Sequence, residues 1–239
     1  MDLTASTSRD CSGCPIRHRA VCSSCDAHEI TRLEAIKYYR SFEAGQPIMF
    51  SGDHMAFVAS VVSGTATIEL LMEDGRKQTA GLLLPSDFIG RPGRDTAVYD
   101  VTAVTDVTLC CFRRDAFEEL VGDTPHIAQR MLEMSLDELD AARDWMLLLG
   151  RKTAREKIAT FLLMIQKRTQ STIEGAQDDG KEIALPLTRE AMADYLGLTI
   201  ETVSRQFSAM KKAGLIVLNG RRGVVIPDAV ALRGETGTT

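Results

Sequence analysis

The stretch LPLTREAMADYLGLTIETVSRQFSAMKKAGLI, residues 185–216, constrains the fold more than any other. Thr188 can cap one helix running to Leu196, Gly197 supplies a sharp turn, and Thr199 can cap a second helix reaching about Ala213. Met192, Leu196, Leu198, Val203, Phe207 and Met210 form an inward apolar set that holds the two helices together. Glu201, Ser204, Arg205 and Ser208, spaced i, i+3, i+4, i+7, are left on the outward face of the second helix. LIVLNGRRGVVIP follows, two β-branched runs around Asn219-Gly220, a hairpin turn signal that puts Arg221 and Arg222 at the tip. Helix, turn, helix and hairpin predict a winged helix-turn-helix. An ordinary helical hairpin with a charged surface is the bland alternative; turn length, basic context and wing argue against it.

The exposed side chains suit a major groove. Arginine matches guanine O6 and N7, glutamate matches a cytosine amino group, and serine can take phosphate or base. Thr199, at the start of that helix, belongs to the same surface, and Arg221 and Arg222 suit phosphates. The charge balance agrees. The chain carries a net −5, yet residues 151–226 hold 13 Lys/Arg against 8 Asp/Glu, a mildly basic module on an acidic body.

Upstream, residues 43–113 break into short β-type runs such as FVASVV and TATIELL. Gly45, Ser51-Gly52-Asp53, Ser63-Gly64, Asp74-Gly75, Pro85-Ser86-Asp87 and Pro92-Gly93 punctuate them, as in a β-roll or barrel. HEITRLEAIKYYRSF (28–42) reads as a short helix with Ile30, Leu33 and Ile36 on one face. Pro125 opens a long helical stretch in which Leu132, Leu136, Leu139, Ala142, Met146 and Leu149 form a continuous apolar stripe. Such a helix outruns a small β-domain, and the surplus stripe predicts a two-helix seam across a homodimer. RKTAREKIATFLLMIQKRTQ (151–170) is a further amphipathic helix, and STIEGAQDDGKE (171–182) a polar surface loop. The class is α+β, expected as residues 1–27 cysteine-rich, 28–124 β-roll, 125–150 dimerisation helix and 151–239 winged helix.

Four of the six cysteines lie in CSGCPIRHRAVCSSC, Cys11 to Cys25. No apolar run is long enough for a membrane span and none of the signal-peptide kind follows Met1, so the expected location is the cytoplasm. Clustered thiols there point to metal or redox chemistry rather than disulfides. Cys11, Cys14, Cys22 and Cys25 could close a structural zinc site, with a short seven-residue spacer and with Cys110-Cys111 unexplained; four thiolates equally suit an iron–sulfur cluster. On a strand, Cys110 and Cys111 point to opposite faces, so no more than one of them can join such a site and the other is expected to pack as a small hydrophobe. His18 and His28 are expected at the surface. No phosphate loop or nucleophile–base constellation suggests an enzyme.

β-roll, long helix and C-terminal winged helix, in that order, resemble the CRP/FNR superfamily of bacterial transcription regulators over nearly the whole chain. GLTIETVSR resembles the recognition helix of the FNR branch, with its Glu-x-x-Ser-Arg at Glu201, Ser204 and Arg205, and DWMLLLGRKTAREKIA resembles the segment after its dimer helix. The Cys-x2-Cys-x7-Cys spacing resembles the FnrL/FnrN subgroup. The resemblance implies a homodimeric regulator of low-oxygen metabolism on double-stranded DNA, at an inverted repeat like TTGAT-N4-ATCAA, with RNA polymerase as a further partner. It implies a [4Fe–4S] cluster held by Cys11, Cys14, Cys22 and Cys110, which favours the DNA-binding dimer and is destroyed by oxygen; Cys25 is the alternative to Cys22. In FIGRPGRDTAVYDVTAV, Arg91 follows Gly90 where the cyclic-AMP receptors have Glu, and their Arg-Ser/Thr-Ala element is missing, so no cyclic nucleotide is expected. The other reading is a CRP-like regulator with structural zinc and no oxygen response.

Overall fold

A computed structural model describes residues 10–170, 180 and 182–237. The chain divides into two compact units, Met1–Leu139 and Asp140–Thr239, with the boundary inside one long helix.

In the first unit a 3₁₀ turn (Cys11–Gly13) precedes helix α1 (Ala27–Ile36), and eight strands follow. They are β1 (Lys37–Phe42), β2 (Pro47–Met49), β3 (Phe57–Ser63), β4 (Ala66–Leu71), β5 (Lys77–Leu83), β6 (Phe88–Ile89), β7 (Asp100–Ala103) and β8 (Val107–Arg113). Two antiparallel sheets result, ordered β1-β8-β3-β6 and β2-β7-β4-β5, the expected roll. Helix α2 (Arg114–Asp123) and the start of α3 (Pro125–Arg151) close the unit. The roll interior packs Phe42, Phe57, Val61, Val101, Leu109 and Cys111.

The first sheet is buried on both faces. Its outer face, with Val58, Val62, Cys110 and Phe112, packs against Ile16, Ala20, Val21, Leu33, Phe117 and Ile127. The segment before α1, which has no periodicity of its own, therefore supplies three apolar side chains to a core. α1 begins where Asp26 accepts the Glu29 N–H and the Glu29 carboxylate accepts the Asp26 N–H, a capping box.

The helix expected over 28–42 ends at Ile36, and Lys37–Phe42 is a strand. Tyr38, Tyr39 and Phe42 are strand-formers, and antiparallel pairing with β8, Lys37 opposite Phe112 through Phe42 opposite Val107, decides the segment's state.

In the second unit α3 runs on, followed by α4 (Ala154–Gln170), β9 (Glu182–Ala184), α5 (Arg189–Leu196), α6 (Ile200–Lys212), β10 (Val217–Asn219), β11 (Gly223–Val225) and α7 (Ala229–Gly234). The helix expected from residue 151 starts at Ala154, because Lys152 and Thr153 interrupt it and the Thr153 N–H is taken by the Glu156 carboxylate at 2.7 Å. The polar loop expected at 171–182 lies outside the described residues except for Gly180 and for Glu182, which already belongs to β9. The wing has three strands, ordered β10-β11-β9. Its turn is Gly220 to Arg222, since Asn219 pairs with Gly223 and so ends the strand instead of entering the turn.

α3 is 27 residues, or ~40 Å at 1.5 Å each. Leu132 is 62% exposed and Met146 71%, and Leu136, Leu139 and Ala142 are exposed with them. Leu149, expected on the same stripe, is half-buried; its Cδ2 lies beside Gly197. Among the described residues no helix is long and apolar enough to cross a membrane.

Candidate functional site

Cys11, Cys14, Cys22 and Cys110 line one cavity, together with Ile16, Arg17, Ala20, Val21, Leu33, Tyr39, Ser60 and Phe112. Two elements bring them there. Cys110 stands on the outer face of β8, opposite Tyr39 of β1 and Ser60 of β3. The N-terminal segment folds over that face through buried Ile16, Ala20 and Val21, carrying its cysteines with it. Cys25 is buried beside the same core but is not among the cavity-lining residues, and Cys111 points into the roll. His18 and His28 are exposed. All six thiols are free.

Four thiols around one cavity are a donor set for a metal ion or an iron–sulfur cluster. Tetrahedral zinc at ~2.3 Å from each sulfur requires sulfurs about 3.8 Å apart. Among the described residues no three cysteine sulfurs lie within 4.8 Å of one another, and the one such group of possible ligands is Asp26, Glu29 and His126 at the surface. The Ser60 hydroxyl supports the fit: it is buried in this wall and has no hydrogen-bond partner among the described residues. An unpaired buried hydroxyl costs about 1–3 kcal/mol, a cost that a sulfur-rich anion would relieve.

Burial pushes the thiols of Cys11, Cys22 and Cys110 up, and that of Cys25 to about 12. Lys37 opposes this at Cys11, where its Nζ donates to Sγ at 3.1 Å. Metal uptake at such a site must displace thiol protons. Arg17 donates to the carbonyl oxygens of Cys22 and Cys25, the latter at 3.2 Å, and so shapes the loop that turns Cys22 inward.

Three contacts tie this segment to the helices that follow the roll. Arg130 of α3 donates to the Arg19 carbonyl at 2.8 Å, His126 Nδ1 stands 2.9 Å from Glu29 Oε1, and Arg32 pairs with Asp123 at 2.9 Å. Contacts between positions 91 to 111 residues apart leave no trace in sequence periodicity.

The second unit presents the other site. The Thr188 hydroxyl accepts the Ala191 N–H at 3.1 Å, and the Thr199 hydroxyl accepts the Thr202 N–H at 3.2 Å. Gly197 between them is left-handed, φ 61° and ψ 47°, and Leu198 N–H returns to the Ala193 carbonyl at 2.9 Å. Lys157 Nζ, buried, donates to the Leu196 carbonyl at 3.0 Å and completes the C-terminus of α5. A lysine on an amphipathic helix reads as solvated, so the sequence reading missed it. Met192, Leu196, Val203, Phe207 and Met210 are buried and Leu198 half-buried. Glu201, Ser204, Arg205 and Ser208 are exposed on one face of α6. Arg205 Nη2 rests on the Thr202 hydroxyl at 3.4 Å. Arg221 and Arg222 are exposed in the wing turn, with Arg222 Nη1 also 3.4 Å from the Pro186 carbonyl.

Two family models match: a cyclic nucleotide-binding domain over residues 39–124 and a Crp-like helix-turn-helix domain over residues 156–235. The chain is 61% identical to the transcriptional activator protein FnrL of Cereibacter sphaeroides over 95% of its length and 92% of that protein. It is 38% identical to the nitrogen fixation regulation protein FixK of Bradyrhizobium diazoefficiens, over 87% and 86%. Among solved structures it resembles FixK2 from Bradyrhizobium japonicum, with a TM-score of 0.76, 31% identity, and coverage of 85% of this chain and 99% of that one.

Proposed function

The chain belongs to the Crp/Fnr family of DNA-binding transcription regulators, and from that premise we propose that it is an oxygen-responsive activator of the FNR type, working in the cytoplasm as a homodimer. The reading rests on one observation, the meeting of Cys11, Cys14, Cys22 and Cys110 around one cavity. These four would hold a [4Fe–4S] cluster, which when bound supplies a redox centre that oxygen can attack.

The protein's own residues carry the rest. Ligation by Cys11, Cys14 and Cys22 holds the N-terminal segment on β8, and the segment in turn holds the first turns of α3 through Arg130 and His126. The exposed stripe of Leu132, Leu136, Leu139, Ala142 and Met146 then packs against its copy across a two-fold seam. Without that ligation the anchor made by Arg130 and His126 would loosen and the dimer would weaken. Two half-sites one turn apart, ~34 Å, need both recognition helices, so a monomer gives up half of the contacts. On each half-site Arg205 and Glu201 read bases, Ser204 and Ser208 serve base or phosphate, and Thr199, Arg221 and Arg222 hold the backbone. Arg91 stands after Gly90 where the cyclic-AMP receptors have Glu, and their Arg-Ser/Thr-Ala element is missing, which supports a roll that takes no cyclic nucleotide. RNA polymerase is the partner an activator requires.

The test is anaerobic purification, iron and sulfide analysis, and a gel shift on an inverted-repeat operator before and after air. Iron near four per chain and air-sensitive binding are expected. Full DNA binding by a clusterless Cys14→Ser protein overturns the sensing model.

A further inference from the structure

Two polar groups, one lining the cysteine cavity and one in contact with a cysteine that lines it, have no part in that reading. Lys37, the first residue of β1, has a side chain only 6% exposed. Its Nζ lies 3.1 Å from Cys11 Sγ and 3.4 Å from Glu34 Oε1, and the same Glu34 oxygen accepts the Cys11 N–H at 2.8 Å. Of these two contacts of the buried ammonium, the one to sulfur is the closer. Ser60 stands mid-strand in β3 opposite Cys110, 2% exposed, on a face whose other members are Val58 and Val62. Its hydroxyl lines the cavity and has no partner among the described residues.

We propose that Lys37 and Ser60 are positioning residues of the iron–sulfur site, donating hydrogen bonds to its sulfurs: Lys37 to the Cys11 thiolate, and the Ser60 hydroxyl to a sulfur beside Cys110. The inference rests on the cluster reading above. A [4Fe–4S] core with four thiolates carries on the order of two negative charges, and an anion in an apolar cavity needs cations and donors around it. Lys37 supplies one charge at the sulfur itself. Arg17, which lines the cavity, directs donors to the Cys22 and Cys25 carbonyls and shapes the loop. Ser60 has nothing to donate to until an anion enters, which accounts for a hydroxyl on an otherwise apolar strand face. Hydrogen bonds from such outer groups set how firmly ligating sulfurs hold metal.

The experiment compares full-length wild type, Lys37→Met, Lys37→Arg and Ser60→Ala after anaerobic reconstitution, following iron release to a chelator under argon. Lys37→Met should release iron about 10-fold faster, and Lys37→Arg should stay near wild type. Ser60→Ala should move two readouts in opposite directions: a higher melting temperature for the iron-free chain, since an unpaired buried donor is gone, and several-fold faster iron release. A purely packing role for Ser60 predicts a lower melting temperature and unchanged release. Should Lys37→Met fail to fold, Ser60→Ala decides alone. Wild-type release rates in both neutral variants overturn the inference, as does Lys37→Arg releasing iron as fast as Lys37→Met. A wild-type chain that takes up no iron removes the cluster reading as well.

Discussion

Cys22 and Cys25 are three positions apart and chemically alike, yet only Cys22 lines the cavity. Local spacing leaves either one available as a ligand. The difference comes from the buried anchors Ile16, Ala20 and Val21 and from Arg17, which fix how the loop turns. Cys22→Ser is therefore expected to lose its iron, whereas Cys25→Ser keeps wild-type iron and loses about 1 kcal/mol of stability as a packed thiol becomes a hydroxyl; metal analysis and thermal melts measure both. On the DNA side, Arg205→Ala should cost about 1–3 kcal/mol of operator affinity and relax the preference at one base position. Arg221→Ala should weaken all sequences alike and reduce the salt slope by about one, since a phosphate contact carries no base information. Titrations over a panel of single-base operator variants at several salt concentrations separate the two roles.

Among the elements, the pair α5–α6 follows directly from local rules. Threonine caps, a left-handed glycine and a 3.6-residue apolar period all agree, so boundaries and faces are readable in the sequence. Thr199→Ala should cost about 1 kcal/mol in urea unfolding. Gly197→Ala should cost about 1–2 kcal/mol from its positive φ, because the nearest side-chain atom, Leu149 Cδ2 at 3.7 Å, is only in ordinary contact. Lys37–Phe42 is the opposite case. Its apolar residues extend the helical pattern of α1, and only hydrogen bonding to β8 makes it a strand. β9 escapes notice for a similar reason: three residues, one of them apolar and buried, become a strand only by pairing with β11. For α3, Leu136→Asp should leave a folded chain that sediments as a monomer, because Leu136 is exposed in one copy and its cost falls on the proposed two-fold seam.

For the whole molecule, the proposed sensing needs a path from the cysteines to α3, and Arg130, donating to the Arg19 carbonyl at 2.8 Å, offers one. Arg130→Met should retain full iron but lose much of the iron-dependent strengthening of the dimer; analytical ultracentrifugation with and without iron measures the difference. By itself the sequence determined the order of roll, long helix and winged helix, the exposed polar face of α6 and the split between Cys110 and Cys111, because these depend on periods of 3.6 and 2 and on caps within a few residues. The tertiary structure alone decided that Lys37–Phe42 is a strand, that Cys22 rather than Cys25 joins Cys110, and that Lys37, Ser60 and Arg130 stand where they do. Those outcomes depend on contacts between residues tens to over a hundred positions apart, whose free energy exists only once the chain has closed on itself.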